Sequence, residues 1–174
     1  MIEELRKVLD SKEFVFTREP YTFSGGVLDL KYPMQRLFRF AEDQVVHYEE
    51  VLKPAFEARM NVVSDRVASV SSLIYRQYEG VDCCISKTVH GFLPRPDVII
   101  IIDVTAEELF KRAEKKSEEH YSLARASILR KLYFEYAMSR GPLGRSTGMF
   151  IVDGNKSITD VAIDVENIIR TFLK

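Results

Sequence analysis

Pro96-Asp97-Val98-Ile99-Ile100-Ile101-Ile102-Asp103-Val104 is the stretch on which the fold turns. Its centre is apolar at every position, the pattern of a parallel strand covered on both faces rather than of a strand with one wet side. Prolines at 94 and 96 bound it before and Thr105 after, so the strand runs from Val98 to Val104 at the centre of a sheet. Downstream, Thr105-x-x-Glu108 opens a helix as a capping box, and the charged segment Ser117 to Arg140 reads as helical until Gly141-Pro142 stops it. Met149 to Val152 is a further strand, and Ser157 caps a last helix whose inner face is Val161, Val165, Ile168, Ile169 and Phe172.

Upstream, Ile2, Leu5, Val8 and Leu9 have helical spacing, and Phe14-Val15-Phe16-Thr17 is a short strand. Arg18 to Pro33, with Gly25 and Gly26, has no steady period and forms a loop beyond that strand. Leu37, Phe40, Ala41, Tyr48, Val51 and Leu52 predict one buried face of a helix from Met34 to Leu52, and Pro54 can start a further turn. Asn61 to Ser64 is the next strand and ends at Asp65-Arg66. Strands alternating with helices predict a doubly wound α/β layer fold, in a single domain over residues 1–174, with ligands at the C-terminal strand ends. Arg18, Glu19, Asp65, Arg66 and Asp103 stand at such ends. Asp103 fits a structural strand end as well as a functional one.

The 174 residues carry 25 basic and 26 acidic side chains, a formal net charge of -1. No global field for polyanions follows, so the reading excludes broad nucleic-acid or membrane-surface binding and leaves room for a local basic pocket for one phosphate. The longest unbroken apolar run, Val98 to Ile102, is far short of the roughly 20 residues of a membrane span, and Glu3, Glu4, Arg6 and Lys7 stand where a signal peptide would have its apolar core. The expected compartment is the cytoplasm. Cys83 and Cys84 are adjacent, a poor geometry for a mutual disulfide, and read as two reduced thiols.

Four segments resemble thymidylate kinases in order and spacing: Thr17-Arg18-Glu19-Pro20 after a strand, Ala41-Glu42-Asp43-Gln44 through Pro54-Ala55, Val62-Val63-Ser64-Asp65-Arg66, and Pro96-Asp97 before Ile102-Asp103-Val104. The resemblance spans nearly the whole chain. It implies a P-loop NTPase-like, three-layer parallel α/β fold, transfer of the γ-phosphoryl of ATP to thymidine monophosphate with Mg²⁺, and a homodimer. Carried over residue by residue, it implies Asp65 and Arg66 as catalytic residues, with Asp65 holding Mg²⁺ through water. Arg18, Glu19, Phe40 and Gln44 become substrate-binding residues. Physical chemistry supports part of this assignment, because guanidinium forks match phosphate oxygens and phosphoryl transfer needs cations and a carboxylate in a dry site. For Arg18 and Glu19 a surface ion pair is the plain alternative, and Phe40 fits a core aromatic equally well from spacing alone. The dimer would use the Met34 to Leu52 helix, whose Phe38 and Val46 lie outside the stripe facing the core.

The same resemblance brings out departures. The family begins with a strand and a G-x-x-x-x-G-K-[ST] loop, whereas Met1 falls where the following helix should be. The first strand and P-loop are therefore expected to be missing, with them the ATP site, and two sheet edges should need new partners. Either the reading frame begins further upstream, or the chain is a catalytically silent, nucleotide-binding or dimer-forming relative. Gly154-Asn155-Lys156-Ser157 resembles the tail of the loop but reads as a turn followed by an N-cap. Gln44 replaces the Arg that reads the thymine edge, Val67 replaces the aromatic after Asp-Arg, and Lys115, Lys116 and His120 stand for the arginine-rich lid. His47, His90 and His120 read as solvated, without ligand spacing.

Overall fold

Strand pairing is parallel throughout, but it forms two pairs instead of one continuous sheet among the described residues. β1 (Phe14–Arg18) pairs with β2 (Asn61–Asp65) in the register Phe14 to Asn61 through Arg18 to Asp65. β3 (Val98–Asp103) pairs with β4 (Gly148–Asp153), from Val98 with Gly148 to Asp103 with Asp153. The computed structural model describes residues 1–23, 30–115, 122–139 and 147–173, without the side chains of residues 68 and 113–115. Gly25-Gly26, Gly141-Pro142, the lid residues Lys116 and His120, and the side chain of Lys115 thus lie outside the described residues. The chain clusters into two compact units, Ile2–Pro94 and Arg95–Lys174, the second joined by Met1.

In the first unit α1 (Ile2–Val8) buries Leu5 and precedes β1, whose Phe14 is also buried. α2 (Pro33–His47) starts at a proline, which fits the first helical position because its missing N–H has no intrahelical partner there. It continues through a π-helical turn, Tyr48–Leu52, into α3 (Lys53–Glu57), and β2 follows. α4 (Ala68–Tyr78) and α5 (Cys83–Val89), capped by the Asp82 carboxylate on the Cys84 N–H at 2.6 Å, complete this unit. Cys83 and Cys84 are free thiols.

In the second unit β3 leads into α6 (Ala106–Lys115), where Thr105 Oγ1 accepts from the Glu108 N–H at 3.3 Å as half of the expected capping box. α7 (Leu123–Met138) precedes β4, and α8 (Ile158–Phe172) is capped by Ser157, whose Oγ accepts from the Asp160 N–H. α8 buries Val161, Ala162 and Val165, the expected face shifted toward its first turns. β3 departs from the all-buried expectation: Ile99 and Ile101 are buried while Val98, Ile100 and Ile102 are half-exposed. Among the described residues β3 pairs with β4 alone, a narrower arrangement than the wide, doubly covered sheet such an apolar run anticipates, so its residues are less completely enclosed. No described helix is long and apolar enough to cross a membrane.

Candidate functional site

The C-terminal ends of β1 and β2 lie side by side, with Arg18 the register partner of Asp65. The ladder runs one step further, as the Glu19 N–H donates to the Asp65 carbonyl at 3.0 Å. Beyond β2 the chain turns sharply through Arg66, whose φ of 73° lies in the left-handed region and costs an L-residue about 1–2 kcal/mol. Ser64 Oγ supports the turn by donating to the Arg66 carbonyl at 2.8 Å. Arg18, Asp65 and Arg66 are exposed, and neither guanidinium has an ion-pair partner among the described residues. Two unpaired cations thus flank one carboxylate at adjacent strand ends, an arrangement suited to phosphate oxygens.

Glu19 does not pair with Arg18. Its Oε1 accepts from His47 Nδ1 at 3.2 Å, and since a carboxylate at this position only accepts, Nδ1 carries the proton. His47 Nε2 meets Thr17 Oγ1 at 2.7 Å, and Tyr21 stacks on the imidazole with ring centroids 5.0 Å apart. One helical turn before His47, the buried Asp43 carboxylate accepts from the Tyr21 N–H at 2.8 Å, the Thr22 N–H at 2.5 Å and Thr22 Oγ1 at 2.7 Å. Asp43 and His47 therefore tie the loop beyond β1 to α2, and with it the ground on which Arg18 stands.

Phe40 and Gln44 also lie on α2, at i and i+4. Phe40 is half-buried; Phe23 lies 5.5 Å away and the Arg76 guanidinium 5.6 Å above its ring. Arg76 is ion-paired with Glu79 at 3.0 Å, and Glu79 also holds Arg36 at 3.1 Å. Gln44 is 1% exposed, and its Oε1 lies 2.6 Å from Nδ1 of His90, whose Nε2 lies 2.9 Å from Ser72 Oγ. Burial, and to a lesser degree the Arg76 guanidinium, pushes the His90 imidazole down to about 4.

The structure corrects several expectations here. His47 and His90 are not solvated; both are buried and hydrogen-bonded on both ring nitrogens. The face of α2 that is fully buried is Leu37, Asp43, Gln44 and His47, while Phe40, Ala41, Tyr48, Val51 and Leu52 are half-buried. Residues 44 and 47 interpolate the apolar spacing 37, 40, 41 and 48, a periodic signal that hydrophobicity alone discards because the side chains are polar. On the outer face Phe38 is 57% and Val45 48% exposed, whereas Val46, expected there, is half-buried.

In the second unit Asp103 is occupied structurally: Arg130 donates to both of its oxygens, Nε at 2.7 Å and Nη2 at 2.8 Å. The 153–157 segment is a turn, as expected, with Asp153 accepting from the Asn155 N–H at 3.0 Å. A side chain at Gly154 would place Cβ 2.6 Å from Ile102 Cγ2, so close packing of β4 on β3 demands glycine there. Lys156 is engaged by Asp164 at 2.8 Å rather than facing an open loop.

Comparison with known proteins gives the family. The family model described as thymidylate kinase matches residues 1–165. A probable thymidylate kinase of Pyrobaculum calidifontis is 28% identical, over 98% of this chain and 88% of its own length. One from Pyrobaculum aerophilum is 25% identical over 88% of this chain and 76% of its own. The solved thymidylate kinase from Ehrlichia chaffeensis superposes with a TM-score of 0.65 at 19% identity, covering 97% of this chain and 87% of that one. With parallel α/β strands, the Asp65-Arg66 turn and a match over most of its length, the chain belongs to the thymidylate kinase family.

Proposed function

We propose that these 174 residues carry the acceptor half of a thymidylate-kinase-type phosphotransferase and bind a nucleoside monophosphate, thymidine monophosphate being the family's substrate. The observation that carries this reading is the pair of guanidiniums, Arg18 and Arg66, that have no ion-pair partner among the described residues and stand on either side of Asp65 at adjoining strand ends. Arg18 and Arg66 take the phosphate, Phe40 offers a ring for the base to stack on, and Gln44 meets the base edge. Glu19 acts through His47, holding the loop that follows Arg18.

The family's chemistry uses ATP and Mg²⁺. The exposed Asp65 carboxylate suits a water-mediated Mg²⁺ contact, which typically needs one or two carboxylates and the nucleotide phosphates. The donor nucleotide fits less well. No G-x-x-x-x-G-K-[ST] stretch occurs in the 174 residues, so the convergent backbone N–H groups, Lys and Ser/Thr that cradle its phosphates are not among them. No transfer step follows from the residues in hand, and this polypeptide on its own is expected to bind the acceptor without phosphorylating it.

The exposed apolar residues Phe38 and Val45 on α2 favour a second copy of the chain as partner, in keeping with a dimer-forming role with or without catalysis. A cytoplasmic setting accords with the free thiols Cys83 and Cys84. Calorimetric titration with a panel of nucleoside monophosphates tests the proposal. Heat and a thermal shift are expected with at least one pyrimidine member, and a folded sample that responds to none refutes it.

A further inference from the structure

Among the described residues, one cluster gathers three potential metal ligands: the Asp82 carboxylate and the Cys83 and Cys84 thiols, whose ligand atoms all lie within 4.8 Å of one another. Neighbouring side chains on a helix diverge by about 100°, so adjacency alone does not produce this convergence. The N-cap does. Asp82 turns its carboxylate back over the first turn of α5, where Oδ1 accepts from the Cys84 N–H at 2.6 Å, and this sets the acid beside the side chains of the first two helical residues. Among the described residues Oδ2 has no hydrogen bond and Asp82 no ion pair. Asp82 and Cys84 are exposed and Cys83 half-exposed, which gives solvent a direct path to all three. Further along the same helix Ser86 and His90 are buried, so the three ligands stand on an element anchored in the first unit.

We propose that Asp82, Cys83 and Cys84 form a binding site for a divalent cation of the zinc class, held by two thiolates and one carboxylate oxygen at the start of α5. The donor set selects the cation. Two thiolates and a carboxylate are three negative charges at close quarters, which a divalent ion offsets. Thiolate sulfur suits Zn²⁺ and its softer relatives, whereas Mg²⁺ and Ca²⁺ take oxygen ligands, so this site is separate from any Mg²⁺ held at Asp65. With metal–sulfur bonds of about 2.3 Å and metal–oxygen bonds of about 2.0–2.2 Å, neighbouring ligands of a tetrahedral ion stand roughly 3.5–3.8 Å apart. The three donors therefore need to close by about 1 Å, which side-chain rotation supplies. Water completes the fourth position, as in sites with three protein ligands. Binding forms two metal–sulfur bonds and one metal–oxygen bond, and the two thiol protons pass to solvent. The cation pins the first turn of a seven-residue helix, a length too short to be stable by itself. None of the three residues belongs to the acceptor site, so the two sites stand or fall separately.

The test uses the reduced 174-residue chain after chelator treatment, with Cd²⁺ as spectroscopic probe and Zn²⁺ as competitor. Cd²⁺ is expected to raise an ultraviolet thiolate-to-metal charge-transfer band that saturates at one ion per chain, is lost on adding Zn²⁺ and is indifferent to excess Mg²⁺. With Zn²⁺ bound, both thiols should resist iodoacetamide together, as followed by mass spectrometry. Cys83→Ser, Cys84→Ser and Asp82→Asn should each weaken Zn²⁺ binding by at least roughly tenfold, the lower end of what even a residue supporting a metal ligand contributes. Asn caps a helix as well as Asp does, so Asp82→Asn keeps α5 and removes only the charged ligand. A wild type without the band, an ion shared between two chains, displacement by Mg²⁺, or protection of a single thiol overturns the site, and none of these outcomes depends on a variant. Asp82→Asn binding Zn²⁺ as tightly as the wild type removes the carboxylate and with it the three-ligand site.

Discussion

Acidification from about pH 7.5 to about pH 5 is expected to weaken the fold through His90 in particular. The imidazole is 4% exposed, and its environment pushes it down to about 4, burial first and the Arg76 guanidinium second. The groups facing it are Gln44 on α2, Ser72 and Arg76 on α4, and, through Arg76, Glu79 and Arg36. In the unfolded chain the same ring titrates near 6.5. Between those two values the unfolded chain binds a proton that the folded chain refuses. Stability therefore falls as the pH drops through that window and is regained as it rises again. With a folded value of about 4, linkage assigns about 2 kcal/mol of the loss at pH ~5 to this one group, and almost none at pH ~7.5. The assay is urea denaturation followed by far-UV circular dichroism at the two pH values, for the wild type and for His90→Asn, which does not titrate. Other groups change both proteins alike, so the variant should lose about 2 kcal/mol less than the wild type between the two conditions. Equal pH dependence in the two proteins would refute the burial of a neutral His90, and so would an NMR titration midpoint for this ring near 6.5.

Four further outcomes are expected. A coupled ADP-release assay on the 174-residue chain should show no turnover of thymidine monophosphate with ATP, and a rate in the usual kinase range of ~1–100 s⁻¹ would contradict that. Arg66→Ala should weaken binding of a nucleoside monophosphate by at least roughly tenfold, since a charge-assisted phosphate contact is worth about 1.5–3 kcal/mol; calorimetry giving an unchanged Kd would remove Arg66 from the site. Asp43→Ala strips the acceptors from the Tyr21 and Thr22 N–H groups and should cost about 2–3 kcal/mol by urea denaturation, with a change below ~0.5 showing that the loop beyond β1 is held some other way. Phe38→Glu on the outer face of α2 should shift the chain toward monomer in sedimentation equilibrium at tens of micromolar, on the order of assay concentrations, and a wild type already monomeric there would exclude the dimer.

Most of the elements are legible in the residues because local physics decides them, α4 and α5 between β2 and β3 being the exceptions. An apolar run between prolines has few alternatives to a strand, Ser157 and Thr105 cap helices by contacts three residues away, and Asp65-Arg66 closes β2 at its C-terminal end. The side-by-side placement of Arg18 and Asp65 also follows, because parallel strands bring corresponding ends together. What the pattern of apolar residues does not carry is the polar interior of the first unit. Gln44 meets His90 across 46 residues and His47 meets Glu19 across 28, so no local window contains both partners. Taken alone, His47 and His90 are read as solvated, since burial of a polar group is tolerable only when a distant partner satisfies it. Nor does an all-apolar strand report how many neighbours it will find: β4 is the one strand partner of β3 among the described residues, and only Ile99 and Ile101 along it are buried. Local spacing thus settles all four strands, most of the helices and which cations stand at strand ends. Only packing over long sequence separations decides which polar groups are buried and which distant side chains satisfy them.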